Sequence, residues 1–98
     1  MTYQESRERL AQLADHLGGD DAPVFFSDRA FRKPLSKPVG TVADYLEQLS
    51  KKPANDVATS VAASGTACPL LDVVLDHAED GRDCVVFEYN SVEPRKAT

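Results

Sequence analysis

A capped amphipathic segment that stops on glycine and runs at once into an apolar strand constrains this chain most. Residues 2–29, TYQESRERLAQLADHLGGDDAPVFFSDR, have that layout. Thr2 is placed to accept from the first-turn amides, and Glu5 to reach back to it, which is a capping box. Leu10, Leu13, Ala14 and Leu17 fall at i, i+3, i+4 and i+7, one apolar stripe on a helix of about four turns. Gly18-Gly19 tolerates the left-handed turn that ends a helix. Pro23 then opens a strand, Val24-Phe25-Phe26, where its missing N–H does least harm.

Residues 63–90, ASGTACPLLDVVLDHAEDGRDCVVFEYN, repeat the arrangement. Thr66 is the N-cap candidate and Pro69 suits a first turn. Leu71, Val74, Leu75 and Ala78 give the same four-point stripe, Gly81 the stop, and Cys84-Val85-Val86-Phe87 the strand. Superposed without gaps, the stretches share Leu10/Leu71, Asp15/Asp76, His16/His77, Val24/Val85 and Phe26/Phe87. The expectation is an internal helix–strand duplication, or two ordinary helix-to-strand units shaped by the same physics.

Between the two units, SDRAFRKPLSKPVG (27–40) reads as an exposed loop or irregular hairpin anchored by Phe31 and Leu35. A helix follows, with Thr41 as N-cap, Asp44 at N3, a stripe of Val42, Tyr45, Leu46 and Leu49, and a stop at Pro53. Residues 55–65 fit either a strand or a helix face. Residues 91–98 lack an apolar stripe and read as a frayed tail. The fold class expected is α+β: one domain over residues 1–98, with about three helices on one face of a small sheet.

Ninety-eight residues with 42% hydrophobic and 28% charged content suffice for a single core. No long apolar run predicts a transmembrane helix, and no charged-then-apolar leader is visible, so a cytoplasmic protein is expected. The net charge of −5 opposes nonspecific nucleic-acid binding. Its distribution is uneven. Arg29, Arg32, Lys33, Lys37, Lys51 and Lys52 occupy the middle third, while Asp72, Asp76, Glu79, Asp80 and Asp83 crowd the later part. Such a molecule can offer a basic face to one partner and an acidic face to another.

No nucleophile constellation or phosphate cradle is recognisable, so no enzyme and no cofactor are expected. Cys68 and Cys84 are too few for a zinc framework and read as small buried apolar residues, although a helix start at Cys68-Pro69 would lower that thiol's pKa. His16 and His77 each follow an aspartate and would sit at helix ends, where the dipole favours them. If the two units packed about a pseudo-twofold, the histidines would approach, and a metal would need Asp15 and Asp76 as well.

The segment Thr2, Glu5, Arg7, Leu10, Asp20, Asp21, Pro23 and Val24 resembles the opening of Phd/YefM-type antitoxins, a capped helix, an acidic turn and a strand after Pro-Val. The VADYLEQL helix is similar to that family's tyrosine-bearing helix. The resemblance covers about the first half of the chain. It implies a small α+β dimer that binds operator DNA through its first helix and a nearby basic surface, and a toxin through its C-terminal half. Arg7 carries over as a DNA contact, with Arg29, Arg32, Lys33 and Lys37 as the basic surface. Asp72, Asp76, Glu79, Asp80 and Asp83 are the partner-binding candidates. The competing expectation is an acidic inhibitor, such as an immunity or phage-type anti-defence protein, that blocks a basic or nucleic-acid-binding site on its target.

Overall fold

The computed structural model describes residues 1–61, 65 and 67–92. Among them are two helices and five strands: α1 (Tyr3–Leu17), β1 (Pro23–Asp28), β2 (Gly40–Thr41), α2 (Val42–Ser50), β3 (Thr59–Val61), β4 (Ala67–His77) and β5 (Asp83–Tyr89). The strands form one curled, half-barrel sheet in the order β2-β1-β5-β4-β3. β5 lies at its centre, parallel to β1 and antiparallel to β4. No helix of the described residues is long and apolar enough to cross a membrane.

Both helices begin as their sequences dictate. Thr2 Oγ1 accepts from Glu5 N at 3.1 Å and Glu5 Oε1 accepts from Thr2 N at 2.9 Å, closing the box. These hydrogen bonds hold the Glu5 carboxyl below its usual pKa. Gly18, at φ 76°, ends α1 in the left-handed conformation. Thr41 and Asp44 build the same box for α2. The two helices lie on one face of the sheet. There Leu10, Ala14, Val42 and Leu49 pack against Val24, Leu70, Val73, Val85 and Phe87. On the other face Phe25, Ala78, Cys84 and Val86 form a smaller cluster, covered in part by Leu35 from the loop after β1.

The expected third helix is a strand. Residues 67–77 are β4, paired with β5 from Leu70↔Tyr89 to His77↔Asp83, and Gly81, at φ 86°, serves the turn of a β-hairpin. The supposed stripe does not form one face. Leu71 and Leu75 are 42% and 38% exposed, whereas Val73, which the stripe omitted, is fully buried. A bulge between Leu70 and Asp72 explains the broken alternation, because it inserts one residue and shifts the inward parity. Both periods could be traced through LLDVVLDH. Pairing with the strongly β-prone Cys84–Phe87 run decides between them, as tertiary context overrides a weak local preference.

A helix–strand duplication is therefore absent from the described residues: the first unit is helix then strand, the second strand then strand. The identities nonetheless mark real neighbours. Val24 lies beside Val85, and Phe26 beside Phe87, in the β1–β5 pairing. The ambiguous stretch contributes a strand at Thr59–Val61, paired with β4. Its residues 62–64, the Thr66 cap and residues 93–98 of the expected tail lie outside the described residues.

The strand assignment has a direct test. In urea unfolding, Val73→Ala is expected to cost about 2 kcal/mol, as deleting fully buried methyl groups does. Leu71→Ala is expected to cost under about 0.5 kcal/mol, the range of surface substitutions. The reverse ranking would restore the helix.

Candidate functional site

The end of β1 is tied to the far end of β5. Arg29 N donates to Tyr89 O at 2.8 Å. Asp28 Oδ1 accepts from Ala30 N at 2.9 Å and from Ser91 N at 3.1 Å, and its Oδ2 accepts from Ser91 Oγ. Burial alone would raise the Asp28 pKa. The hydrogen bonds from Ser91 and Ala30 outweigh it and hold the carboxyl below its usual range. Glu88 receives two cations on its second side: Arg29 Nη2 lies 3.0 Å from Oε1, and Arg32 Nη2 3.7 Å from Oε2. The Glu88 side chain is only 12% exposed, against 42% and 70% for the arginines. The carboxylate therefore gathers the start of the basic loop onto the sheet.

From there residues 29–39 return past the second face, and Leu35 O accepts from Glu79 N at 2.9 Å. Leu35 anchors to the core as expected, but Phe31 does not: it is 62% exposed. Between this loop and β1 runs a groove of about 660 Å³ whose lining includes Phe31, Lys33, Lys37 and Tyr89.

Among the described residues a strand covers the outer edge of β1 only at its start, where β2 pairs with Pro23 and Val24. Alternate residues of a parallel strand hydrogen-bond to opposite sides. Arg29 bonds to β5, so Phe25 and Ser27 do as well, and Val24, Phe26 and Asp28 point outward. Consistent with this, Val24 O accepts from Val39 N and Asp28 O from Phe31 N. By that alternation the amide and carbonyl of Phe26 face the outer edge, where no strand pairs with them among the described residues, and Phe26 is part of the groove lining.

The expected site residues divide between surfaces. Arg29, Arg32, Lys33 and Lys37 all lie on the loop, whereas Arg7 is exposed on α1, across the sheet from the face that the loop covers. Asp76, Glu79, Asp80 and Asp83 gather at the turn of the β4–β5 hairpin, and Asp72 lies further along β4 opposite Glu88. Several are already engaged. Asp80 Oδ2 is 2.7 Å from Arg82 Nε, and Asp83 Oδ1 is 3.0 Å from His77 Nδ1. Sequence reading missed Ser91, Tyr89 and the outward edge of Phe26, since none sits in a charged cluster.

His16 and His77 do share one cleft of about 300 Å³, with Leu75, Asp76 and Asp83, although Asp15 is not in its lining. They meet because α1 ends beside the hairpin, not through a repeated unit. Among the described residues no three His, Cys, Asp or Glu side chains gather as a metal set. Both cysteines are buried in strands. Cys68 therefore does not open a helix. Burial, helped by Asp76, Asp83 and Asp80, pushes the Cys84 thiol up to about 11.

Compared with protein-family models, with curated proteins and with solved structures, the chain matches none.

The Cys84 thiol gives a pH signature. Unfolding lets it ionise near its ordinary value of 9.0, whereas the folded thiol stays protonated to about 11. Between those values the unfolded state binds fewer protons, so stability falls as pH rises. Denaturant unfolding from pH 8 to 11 is expected to show this alkaline loss in the native chain and a flatter profile in Cys84→Val. Parallel profiles would remove the thiol as the cause.

Proposed function

We propose that the chain is a non-enzymatic, antitoxin-like binding module that takes an extended acidic segment of a protein partner as an added strand on β1. The observation carrying this reading is the outward amide and carbonyl of Phe26, bordering a groove that holds Lys33 and Lys37. An open sheet edge supplies main-chain hydrogen bonds to any extended peptide, and flanking side chains select its sequence. Here the selecting groups are two lysines and the exposed Phe31 ring. The partner segment should then alternate carboxylates with apolar residues.

Duplex DNA is the less favoured ligand. Arg29 and Arg32 converge on Glu88, and Arg7 is on another element, so the five candidate cations do not form one phosphate-tracking surface. The second reading, an inhibitor of a basic protein, draws on the hairpin turn, where Asp76, Glu79, Asp80 and Asp83 gather. It predicts a different peptide preference at the opposite end of β5.

Calorimetric titration with an alternating Glu-Val octapeptide tests the first reading. Binding is expected, with at least a tenfold loss in the Lys33→Glu, Lys37→Glu double variant, which corresponds to about 1.4 kcal/mol. N-methylation of alternate peptide amides should abolish binding, because a strand needs those donors. An alternating Lys-Val peptide that binds instead, and is lost in Glu79→Lys, would favour the inhibitor. Salt-sensitive binding of duplex DNA with no peptide binding would restore the operator reading.

A further inference from the structure

A second cavity lies on the helical side of the sheet, lined by the start of α1, by α2 and by strands β1, β5, β4 and β3. Its volume is about 400 Å³, within the range of about 300–1,000 Å³ typical of small-molecule pockets. The rings of Phe26 and Phe87 stack on each other at its base, with centroids 5.3 Å apart. Tyr45 of α2 stands against both, at 5.6 Å from Phe26 and 5.5 Å from Phe87, tilted by 57° and 61°. An aromatic cluster of this kind favours a flat ring, which can meet ring edges and faces in the tilted arrangements that aromatic pairs prefer.

Beside Tyr3, Tyr45, Gln48 and Thr59, two polar residues of this lining set its chemistry. Ser60, on β3, is 3% exposed, and its Oγ is buried without a hydrogen-bond partner. An unpaired buried hydroxyl is destabilising until something satisfies it, so its retention beside a cavity needs an explanation. The other is Lys52, just past α2, whose Nζ lies 6.0 Å from the Tyr3 ring centroid. Among the described residues Lys52 is the one charged residue of the lining, and no carboxylate contributes to it. In a chain of net charge −5, a cavity with a cation and no acid is a selective arrangement.

We propose that this cavity binds a planar aromatic ligand carrying one anionic group. The ring packs against Phe26 and Tyr45, the anion meets Lys52, and Ser60 Oγ turns about its χ1 bond to hydrogen-bond a polar atom of the ligand. The pocket is distinct from the β1 edge groove: of the residues given for the two linings, Phe26 alone is common to both.

The probe is 2-naphthoate, titrated into the full chain and followed by amide chemical shifts and calorimetry, with 2-naphthalenemethanol as the uncharged comparison. Naphthoate is expected to bind, with shifts centred on Tyr45, Gln48, Thr59 and Ser60. Ser60→Ala should weaken naphthoate about fivefold, the usual worth of one hydrogen bond. It should not lower Tm, because it removes an unsatisfied group. Lys52→Gln should abolish the preference for naphthoate over the alcohol. Phe31→Ala, in the other groove, should change neither ligand. The proposal is overturned if no shifts appear at millimolar naphthoate, if they centre elsewhere, or if Ser60→Ala and Lys52→Gln bind as the native chain does. It also fails if Ser60→Ala lowers Tm, since that would show the hydroxyl already satisfied within the fold.

Discussion

The pairing of β5 on both sides is the interaction on which the remaining structure depends. Its four central side chains, Cys84 through Phe87, are all buried, Val85 and Phe87 toward the helices and Cys84 and Val86 toward the loop. A strand buried on both faces reads as a continuous apolar run instead of an alternating one. It must also have both edges paired, because a buried amide without a partner is costly. β1 supplies one edge and β4 the other. The helices contribute caps and apolar stripes, but each reaches the core by packing on what β5 has organised.

That dependence explains what could be read from the chain and what could not. Thr2 with Glu5, Thr41 with Asp44, and Gly18 act within a few residues, and each does what its local chemistry predicts. The strands at Val24 and Val85 were also visible, since a short apolar run between turn residues has few alternatives. LLDVVLDH failed because its leucines and valines satisfy a period of 3.6 as well as a bulged period of 2. The deciding term is a hairpin partner beyond Gly81, which periodicity within the segment does not contain. The same limit hid the meaning of the repeat. Val24/Val85 and Phe26/Phe87 match because neighbouring strands need similar side chains at the same depth in one core.

Charge clusters were legible as clusters and illegible as sites. The run from Arg29 to Lys37 is plain in the sequence, but its division is not: two arginines turn inward to Glu88, while Lys33 and Lys37 line the groove. That split follows from register. Glu88 falls on the face that the loop covers, one residue past Phe87, so a carboxylate waits where the loop begins. The acidic residues behave alike. Asp80 and Asp83 find Arg82 and His77 within the same hairpin, and exposed pairs of this kind add little to stability. Their consequence is the local potential around the turn, not stability.

The cavity on the helical side follows from a mismatch of lengths. At 11 residues, β4 spans about 36 Å at a strand's rise of about 3.3 Å per residue. α1 and α2, with 15 and 9 residues, span only about 22 and 14 Å at 1.5 Å per residue. Two short helices do not roof a curled sheet of that length. Where the roof ends, large side chains fill part of the space, which is why Phe26, Tyr45 and Phe87 meet there. They do not fill all of it. An aliphatic residue at position 60 would have closed more of the gap and removed an unsatisfied hydroxyl, and core packing alone favours that solution. The serine is the point at which packing considerations and the observed sequence part, and departures of this kind concentrate where a chain serves something other than its own stability.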